Sequence, residues 1–312
     1  MCRSMPTRYR SLISDSSRWD GFELRPDDIV ISTPAKCGTT WMQMICALLV
    51  FQSTTFDASL DLISPWLDML TRERGDVFAD LDAQAHRRFI KTHTPFDGLP
   101  FDERVTYIAV GRDPRDVALS WDNHLANMDL DALIGARATA VGLDDLAELF
   151  PDGIPERTDS EIERFWQWVD DQTPAPESLG SLAATLHHLS TFWAVRDRPN
   201  LVLFHYDELK ADLEGQMRRL AGQLGISIPE DRWPELVDAA TFERMRAGAD
   251  HIAPDTSHAI WQDNQQFFHR GTSGQWRELL DDEDLRRYDQ RVAELADPEL
   301  AGWLHREPPT AR

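Results

Sequence analysis

Four short runs of apolar and β-branched residues are spaced along the chain, and each is followed by polar residues. They cover residues 27–33, 87–93, 104–114 and 200–209. Runs of this length and composition are typical of buried strands. Longer stretches with helical patterning follow three of them, at 41–51, 115–128 and 211–225, and the last should stop at Gly225. Strands that alternate with helices predict an α/β fold with a central parallel sheet flanked by helices.

The polar residues that follow these runs are predicted to meet at one edge of the sheet. Parallel strands present their carboxyl ends on the same side, and ligands of such sheets bind there. The groups concerned are 36–40, 91–93, Arg112, and His205 with Tyr206. The sequence therefore predicts a site at the carboxyl ends of the four strands.

Residues 122–190 interrupt the alternation of strands and helices. The segment is rich in Asp, Glu and Pro, and its aromatic residues cluster at 164–171. We interpret it as a long excursion over one side of the site, the side that would hold an acceptor. No internal repeat, low-complexity tract or interdomain linker is visible in the sequence, so we expect residues 1–312 to form one domain.

Composition and charge narrow the choice of partners. The 312 residues include 11 Trp and 14 Phe, and 42% are hydrophobic, which is ample for a large core. A formal net charge of -22 argues against a nucleic-acid partner, because neutralising phosphates requires a basic face. An anionic ligand would therefore have to bind in a local basic pocket.

The cysteines and the apolar stretches indicate the cellular compartment of the protein. The three cysteines, Cys2, Cys37 and Cys46, match neither a disulfide framework nor a metal-ligand spacing, so we expect no metal and a cytoplasmic setting. Residues 1–20 contain no apolar run, so no secretory signal is predicted. The longest apolar stretch, 41–51, is too short to span a bilayer.

The segment ISTPAKCGTTW, residues 31–41, carries the first candidate chemistry. Gly38 allows the backbone to approach a ligand closely, and the threonines after it begin a helix whose free N–H groups and dipole attract an anion. Lys36 can add a positive charge. In a P-loop NTPase, G-x-x-x-x-G-K-[ST], the lysine instead follows the last glycine. The alternative is an ordinary strand-to-helix turn capped by threonine.

Three further segments offer groups for anion binding or proton transfer. Arg112 at a strand end, with Ser120 on the following helix, suits a second phosphate, although Arg–Asp pairs of this kind are commonly surface salt bridges. His93 is a candidate general base, although a lone histidine is more often structural. Lys91, two residues earlier, should face the same side. The segment 267–276, FFHRGTSGQW, can close over an anion or form a surface turn.

Together these motifs resemble those of the cytosolic-type sulfotransferases, which use 3′-phosphoadenosine-5′-phosphosulfate (PAPS). AKCGTTW is similar to their 5′-phosphosulfate loop, P-K-S-G-T-T-W, and YIAVGRDPRDVALS to their 3′-phosphate segment. RFIKTHTP resembles the segment with the catalytic histidine, and LFHYDELKAD the one with the adenosine-site tyrosine. ATFERMR and FFHRGTSGQW resemble two later stretches of the family. RRFIKTHTPFDGLP, SPWLD and VGRDPRD look closest to the mycobacterial glycolipid sulfotransferases.

The resemblance implies a P-loop-like nucleotide-binding fold, PAPS as sulfuryl donor, and a hydroxyl acceptor. The acceptor is implied to be a glycolipid, with a phenol or another alcohol as the alternative. His93 would be the general base, Lys36 would stabilise the bridging oxygen, and Lys91 the sulfuryl oxygens. The implied donor-binding residues are Lys36, Cys37, Gly38, Thr39, Thr40, Trp41, Arg112, Ser120, Tyr206, Thr241, Phe242, Met245, His269, Arg270 and Gly271.

Some features depart from the family pattern or leave a question open. Cys37 replaces the usual loop serine, and His269 stands where arginine is usual, which would make 3′-phosphate binding weaker or pH-sensitive. The family's dimer motif is not readable in WRELLDDEDLRRYDQ, so the oligomeric state stays open. An apolar acceptor lining is expected from 64–67, Phe96 and 164–168, although the same residues would make a good core.

Three other functions are compatible with parts of the sequence. A P-loop nucleotide kinase is disfavoured because Lys36 is misplaced and no Walker-type carboxylate clearly follows a strand. A catalytically silent protein would bind the nucleotide without transferring anything. A phosphatase-like loop with Cys37 as nucleophile requires the spacing C-x₅-R, and it fails because position 43 is Gln43.

Overall fold

Four parallel strands form the central sheet. The structure is a computed structural model that describes residues 6–150, 153, 157–254 and 258–306. The strands lie in the order β2-β1-β3-β4, and all neighbouring pairs are parallel. Their bounds are β1 (Ile29–Ser32), β2 (Phe89–Thr92), β3 (Thr106–Gly111) and β4 (Leu201–His205). This arrangement confirms the predicted α/β class with a parallel sheet.

Helices connect the strands and pack around the sheet. Helix α10 ends at Gly225, which adopts φ 67°, as the sequence predicted. Within the described ranges, none of the helices is both long and apolar enough to cross a membrane. The helix bounds are α1 (Thr39–Phe51), α2 (Leu60–Ile63), α3 (Arg74–Ala83), α4 (Pro114–Ala126), α5 (Leu130–Val141), α6 (Leu146–Leu149), α7 (Glu161–Asp170), α8 (Leu182–Trp193), α9 (Tyr206–Ala211), α10 (Leu213–Leu224), α11 (Trp233–Ala239), α12 (Phe242–Ala247), α13 (Ala249–Ile252), α14 (Asn264–Phe267), α15 (Asp282–Leu295) and α16 (Pro298–Leu304).

The strand predicted for 200–209 is too long, because the chain turns into helix α9 directly after His205. The His205 side chain accepts a hydrogen bond from the Asp207 N–H at 3.3 Å and so caps the new helix. A side-chain cap of this kind satisfies an N–H group that has no partner inside the helix. Tyr206 therefore lies in the first turn of α9, at the carboxyl end of β4.

The pleat of the strands divides the core into two faces. Ile29 and Ile31 of β1 lie in one cluster, which includes residues of α1 and α10. Val30 lies in another cluster with Tyr107 of β3. Successive side chains of a strand point to opposite faces, and all four β1 residues are buried. Because both faces of the sheet are covered, the strand ends remain its accessible edge.

The aromatic residues of 164–168 do not supply the acceptor lining that the sequence predicted. Phe165 and Trp168 of α7 are only 2% and 5% exposed and pack in a core cluster with residues of α4, α8 and α15. Phe96 likewise packs in the core, against Phe192 of α8. The alternative core interpretation is therefore correct for these residues. The described part of 122–190, which leaves out 151–152 and 154–156, contains α5 to α8 and the end of α4.

A buried carboxylate fixes the end of β2. Asp68 accepts hydrogen bonds from the Thr92 and Thr94 hydroxyls at 2.6 and 2.5 Å, and from the indole N–H groups of Trp66 and Trp19 at 2.6 and 3.2 Å. Burial raises the pKa of this carboxyl, and the donated hydrogen bonds oppose that rise. Because the two threonines flank position 93, the network holds the backbone on both sides of it.

Replacing Asp68 by alanine should lower the free energy of unfolding by about 3–5 kcal/mol, because several buried donors lose their acceptor. Urea unfolding followed by tryptophan fluorescence measures the change. Asp57→Ala, at an exposed loop position, is the control and should stay within about 0.5 kcal/mol of the parent. Equal stability of the two variants would show that the Asp68 network does not hold the fold.

Candidate active site

A cavity of about 580 Å³ lies at the carboxyl ends of the four strands. Side chains from the end of every strand reach it, as the sequence predicted. All of the predicted site residues except Cys37 line this cavity. They are Lys36, Gly38, Thr39, Thr40, Trp41, Lys91, His93, Arg112, Ser120, Tyr206, Thr241, Phe242, Met245, His269, Arg270 and Gly271.

The loop between β1 and α1 presents backbone N–H groups to the cavity. Gly38 is the N-cap of α1 with φ 97°, a left-handed conformation that favours glycine. A Cβ atom at this position would lie 3.2 Å from the Tyr206 ring, a tight contact that only a small shift of the ring would relieve. The N–H groups of 39–41 precede the first intrahelical bond, from Met42 to Gly38. Such groups and the helix dipole form an anion site.

Cys37 is oriented away from the cavity, in contrast to its predicted place among the donor-binding residues. Its side chain is fully buried in the core cluster that contains Val117 of α4. Its N–H donates to the Pro34 carbonyl at 3.3 Å. Burial raises the pKa of the thiol to about 12, so the thiol stays protonated and is not a nucleophile.

Lys36 reaches across the cavity to a residue that the sequence analysis missed. Its Nζ lies 3.1 Å from Nδ1 of His124 and 4.6 Å from the centre of the Phe267 ring. Burial, and then the charges of Arg112 and Lys91, lower the pKa of Lys36 to about 7. Burial, with the charge of Lys36, also holds the pKa of His124 well below its usual value. The neutral imidazole can therefore accept a hydrogen bond from the ammonium group.

One ring nitrogen of His93 is hydrogen-bonded to the main chain, and the other can accept a proton. Nδ1 lies 2.7 Å from the Thr33 carbonyl oxygen, which can only accept, so Nδ1 carries the hydrogen and Nε2 keeps its lone pair. Burial, and then the charge of Lys91, hold the pKa of His93 well below its usual value. Trp66 contacts both side chains: its ring is 4.7 Å from the His93 ring and 4.3 Å from Lys91 Nζ.

Arg112 connects two loops and contacts the ring of Tyr206. It donates to the carbonyl oxygens of Lys36 and Thr272 at 3.0 and 3.3 Å, and its guanidinium lies 4.4 Å from the centre of the Tyr206 ring. Its Nε is buried and has no hydrogen-bond partner among the residues that the structure describes. A buried donor without a partner is costly, and this one fits an anionic oxygen. Ser120, two turns along α4, lines the same cavity.

Two carboxylates hold the segment 269–275 as one wall of the cavity. Asp116 accepts from the N–H groups of Gly274 and Gln275 at 2.8 and 3.2 Å, and Asp207 accepts from the Ser273 hydroxyl. Burial, followed by the charge of Arg270, lowers the pKa of His269. His269 is therefore neutral at pH 7, where an arginine would carry a charge.

Several cavity residues were not predicted from the sequence. His124 lies four residues after Ser120, and this spacing puts both on one face of α4. Trp121 and Trp261 also line the cavity, and their ring centres lie 5.6 and 4.7 Å from that of His124. The helical spacing from Ser120 was the signal that could have identified His124. No comparable signal marks Trp261, whose segment has no regular pattern.

Comparisons with known proteins agree with this geometry. The model of the sulfotransferase domain family matches residues 26–299. A glycolipid sulfotransferase of Mycobacterium bovis is 43% identical over 305 residues, which cover 95% of this chain and 93% of the relative. Retinol dehydratase in complex with androsterone and the inactive cofactor PAP has a TM-score of 0.67 at 21% identity, over 91% of this chain and 86% of that one. Mouse sulfotransferase SULT7A1 complexed with PAP has a TM-score of 0.66 at 19% identity, over 92% of this chain and 91% of that one.

The family match covers every motif from Lys36 to Gly271. The two solved structures share the fold, with the parallel sheet and flanking helices that the sequence predicted. A nucleotide kinase is no longer needed to explain the loop after β1, because the match to the sulfotransferase domain includes this loop. The chain belongs to the sulfotransferase family, and it is a PAPS-dependent transferase.

Proposed function

We propose that the cavity binds PAPS and that the enzyme transfers its sulfuryl group to a hydroxyl of a glycolipid. The observation that carries this proposal is His93, whose Nε2 lone pair shares one cavity with Lys36 and the N-terminus of α1. The glycolipid acceptor is supported by the Mycobacterium bovis relative, which is a glycolipid sulfotransferase. A phenol is the second candidate, because the indole rings of Trp66, Trp121 and Trp261 line the same cavity.

The residues of the cavity fit the two anionic ends of PAPS. The N–H groups at the start of α1, with Lys36, suit the 5′-phosphosulfate. Arg112, with its partnerless Nε, and Ser120 suit the 3′-phosphate. The aromatic rings of Trp41, Tyr206 and Phe242, beside Thr241 and Met245, suit the adenosine. His269, Arg270 and Gly271 would close this end of the cavity.

The reaction requires a base for the acceptor and positive charge for the leaving group. PAPS, when bound, supplies an activated sulfuryl group and a phosphate leaving group. His93 Nε2 would take the proton from the acceptor hydroxyl as that oxygen attacks sulfur. Lys36 would stabilise the bridging oxygen and Lys91 the sulfuryl oxygens, because charge develops there in the transition state. His93 is neutral at pH 7 because its pKa lies well below its usual value, so its Nε2 has a lone pair to accept the proton.

We also propose a setting for the enzyme. Cys37 and Cys46, the cysteines in the described part of the chain, are buried free thiols, which supports a reducing, cytoplasmic location. The acidic surface supports a partner other than nucleic acid. Residues 1–312 would act as one catalytic domain, with 122–190 lying on the acceptor side and no metal taking part.

Replacing His93 by alanine should lower kcat by about 10²–10⁴, because the acceptor hydroxyl loses its general base. Binding of 3′-phosphoadenosine-5′-phosphate (PAP) should change by less than about threefold, since His93 is not among the residues proposed for the phosphates. Sulfate transfer and calorimetric PAP binding measure the two effects. His251→Ala, an exposed histidine on α13, is the control. Near-full activity of His93→Ala would show that His93 is not the general base.

Replacing Ser120 by alanine should weaken PAP binding by at least about tenfold, because a hydrogen bond to a charged group is worth about 1.5–3 kcal/mol. Adenosine 5′-phosphate lacks the 3′-phosphate, so its binding should change by less than about twofold. Arg112→Met should give a larger loss of PAP affinity, with a smaller loss for adenosine 5′-phosphate, because Arg112 also donates to the carbonyl of Lys36 and contacts Tyr206. Calorimetry with both nucleotides tests this. An equal loss for PAP and adenosine 5′-phosphate would place the 3′-phosphate elsewhere.

PAP binding should weaken as the pH rises from 7 to 9. Lys36 has a pKa of about 7 in the free protein, and the bound anion favours its protonated form. Above pH 7 the free Lys36 is mostly deprotonated, so PAP binding is accompanied by proton uptake, about 0.9 proton per site at pH 8. The affinity for PAP therefore falls by up to about tenfold per pH unit. His93, His124 and His269 have lowered pKa values and stay neutral throughout this range.

Calorimetry in two buffers with different ionisation enthalpies measures the proton uptake directly. Lys36→Met should bind PAP more weakly and without proton uptake. An affinity of the parent protein that is constant between pH 7 and 9 would contradict the lowered pKa of Lys36.

A further inference from the structure

A second cavity adjoins the active site and is lined by none of the residues proposed to bind the nucleotide. Its volume is about 680 Å³, and it runs between α5 on one side and the segment 60–76 on the other. It shares Trp66, Met69, Lys91 and Pro254 with the active-site cavity. The space, here called the α5 groove, therefore begins where Lys91 and the His93 ring meet Trp66.

Small residues on one face of α5 keep the groove wide. Ala132, Gly135, Ala136 and Thr139 all line it, and their spacing of three and four residues places them on one side of the helix. A Cβ atom added at Gly135 would meet nothing within 4 Å. The space in front of this helix face is therefore open to a ligand.

The opposite wall carries groups that suit an uncharged, hydroxyl-rich ligand. Asp61, Glu73 and Asp76 contribute carboxylates, and Thr71 contributes a hydroxyl. Glu73 and Asp76 are exposed, so they can accept hydrogen bonds from a ligand without a desolvation cost for a buried charge. Arg72 also lines the wall but is paired with Asp80, and Lys91 lies at the junction with the active site. The three carboxylates, in a chain of net charge -22, therefore leave the wall negative and disfavour an anion. An uncharged donor of many hydrogen bonds fits this wall better.

Apolar carbon atoms complete the groove. Leu60 and Ile252 line it, and the Trp66 ring stands at its junction with the active site. Carboxylates and hydroxyls together with apolar faces match the two surfaces of a sugar ring, which has hydroxyls at its edge and C–H groups on its faces. A purely aliphatic ligand would donate no hydrogen bonds to the carboxylates.

We infer that the α5 groove is a subsite for the uncharged carbohydrate part of an extended acceptor, beyond the hydroxyl that receives the sulfuryl group. The inference rests on the proposed function, because it extends the acceptor site of that reaction. A small alcohol or phenol reaches Lys91 and His93 through the active-site cavity alone. A glycosylated acceptor occupies both spaces.

Gly135→Trp fills the groove at a position where the structure has room for the added side chain. It should lower kcat/KM for a neutral glycolipid with a disaccharide head group by at least about tenfold. It should leave kcat/KM for 2-naphthol within about twofold, because this acceptor needs only the active-site cavity. The control is Ala138→Trp, on the same helix at an exposed position that does not line the groove. The control should leave both acceptors within about twofold.

PAP binding and thermal unfolding of each variant verify that the fold and the donor site are intact. If Gly135→Trp is unstable, Gly135→Leu tests the same position with a smaller side chain. A second pair of variants, Glu73→Gln and Asp76→Asn, should raise KM for the glycolipid severalfold and leave KM for 2-naphthol unchanged.

The outcomes separate this inference from the proposed function. Undiminished glycolipid turnover by Gly135→Trp, with 2-naphthol turnover also intact, would overturn the α5 groove as a subsite and leave the proposed function standing. An equal loss with both acceptors would overturn the carbohydrate assignment too, because the groove would then act on the catalytic centre itself. Failure of the parent protein to sulfate either acceptor would overturn the proposed function, and the inference with it.

Discussion

Three basic side chains share one poorly solvated cavity, and the electrostatics of the active site follow first from their burial and then from their mutual repulsion. Lys36, Lys91 and Arg112 all line this space. Burial and the neighbouring charges bring the pKa of Lys36 to about 7 and keep those of His93 and His124 well below their usual values. A bound anion relieves the repulsion. The same electrostatics therefore attract the donor and keep His93 neutral, so that it can accept a proton.

Main-chain carbonyl groups, rather than carboxylates, orient the reactive side chains. The Thr33 carbonyl fixes the tautomer of His93, and the carbonyls of Lys36 and Thr272 accept from Arg112. A carboxylate in these places would neutralise the charge that the donor needs. The nearby acidic residue Asp116 instead accepts from backbone N–H groups of the wall segment. This use of polar groups explains how a strongly acidic chain maintains a basic pocket.

The proposed donor half of the site could be predicted from the sequence, and the proposed acceptor half only in part, because Trp66 of 64–67 lines the cavity but Phe96 and Phe165 do not. Lys36, Arg112 and Tyr206 follow strand ends, and parallel pairing brings such positions together whatever the intervening chain does. No such rule determines whether an aromatic side chain lines the cavity or packs in the core. Phe165 and Trp66 are both aromatic residues beside apolar neighbours, yet Phe165 packs in the core and Trp66 lines the cavity, because tertiary packing decides which side chains are covered. The direction of the Cys37 side chain depends on the same tertiary contacts.

Trp66 connects the two halves of the site. Its N–H is held by Asp68, its ring contacts His93 and Lys91, and it borders both cavities. In-line transfer requires the acceptor oxygen to approach sulfur from the side opposite the leaving group, which Lys36 would stabilise. The α5 groove opens at Lys91 and Trp66 and does not include Lys36 among its lining residues. Its position is therefore the one that an extended acceptor needs, with its reacting hydroxyl at His93 and the rest of the molecule away from the nucleotide.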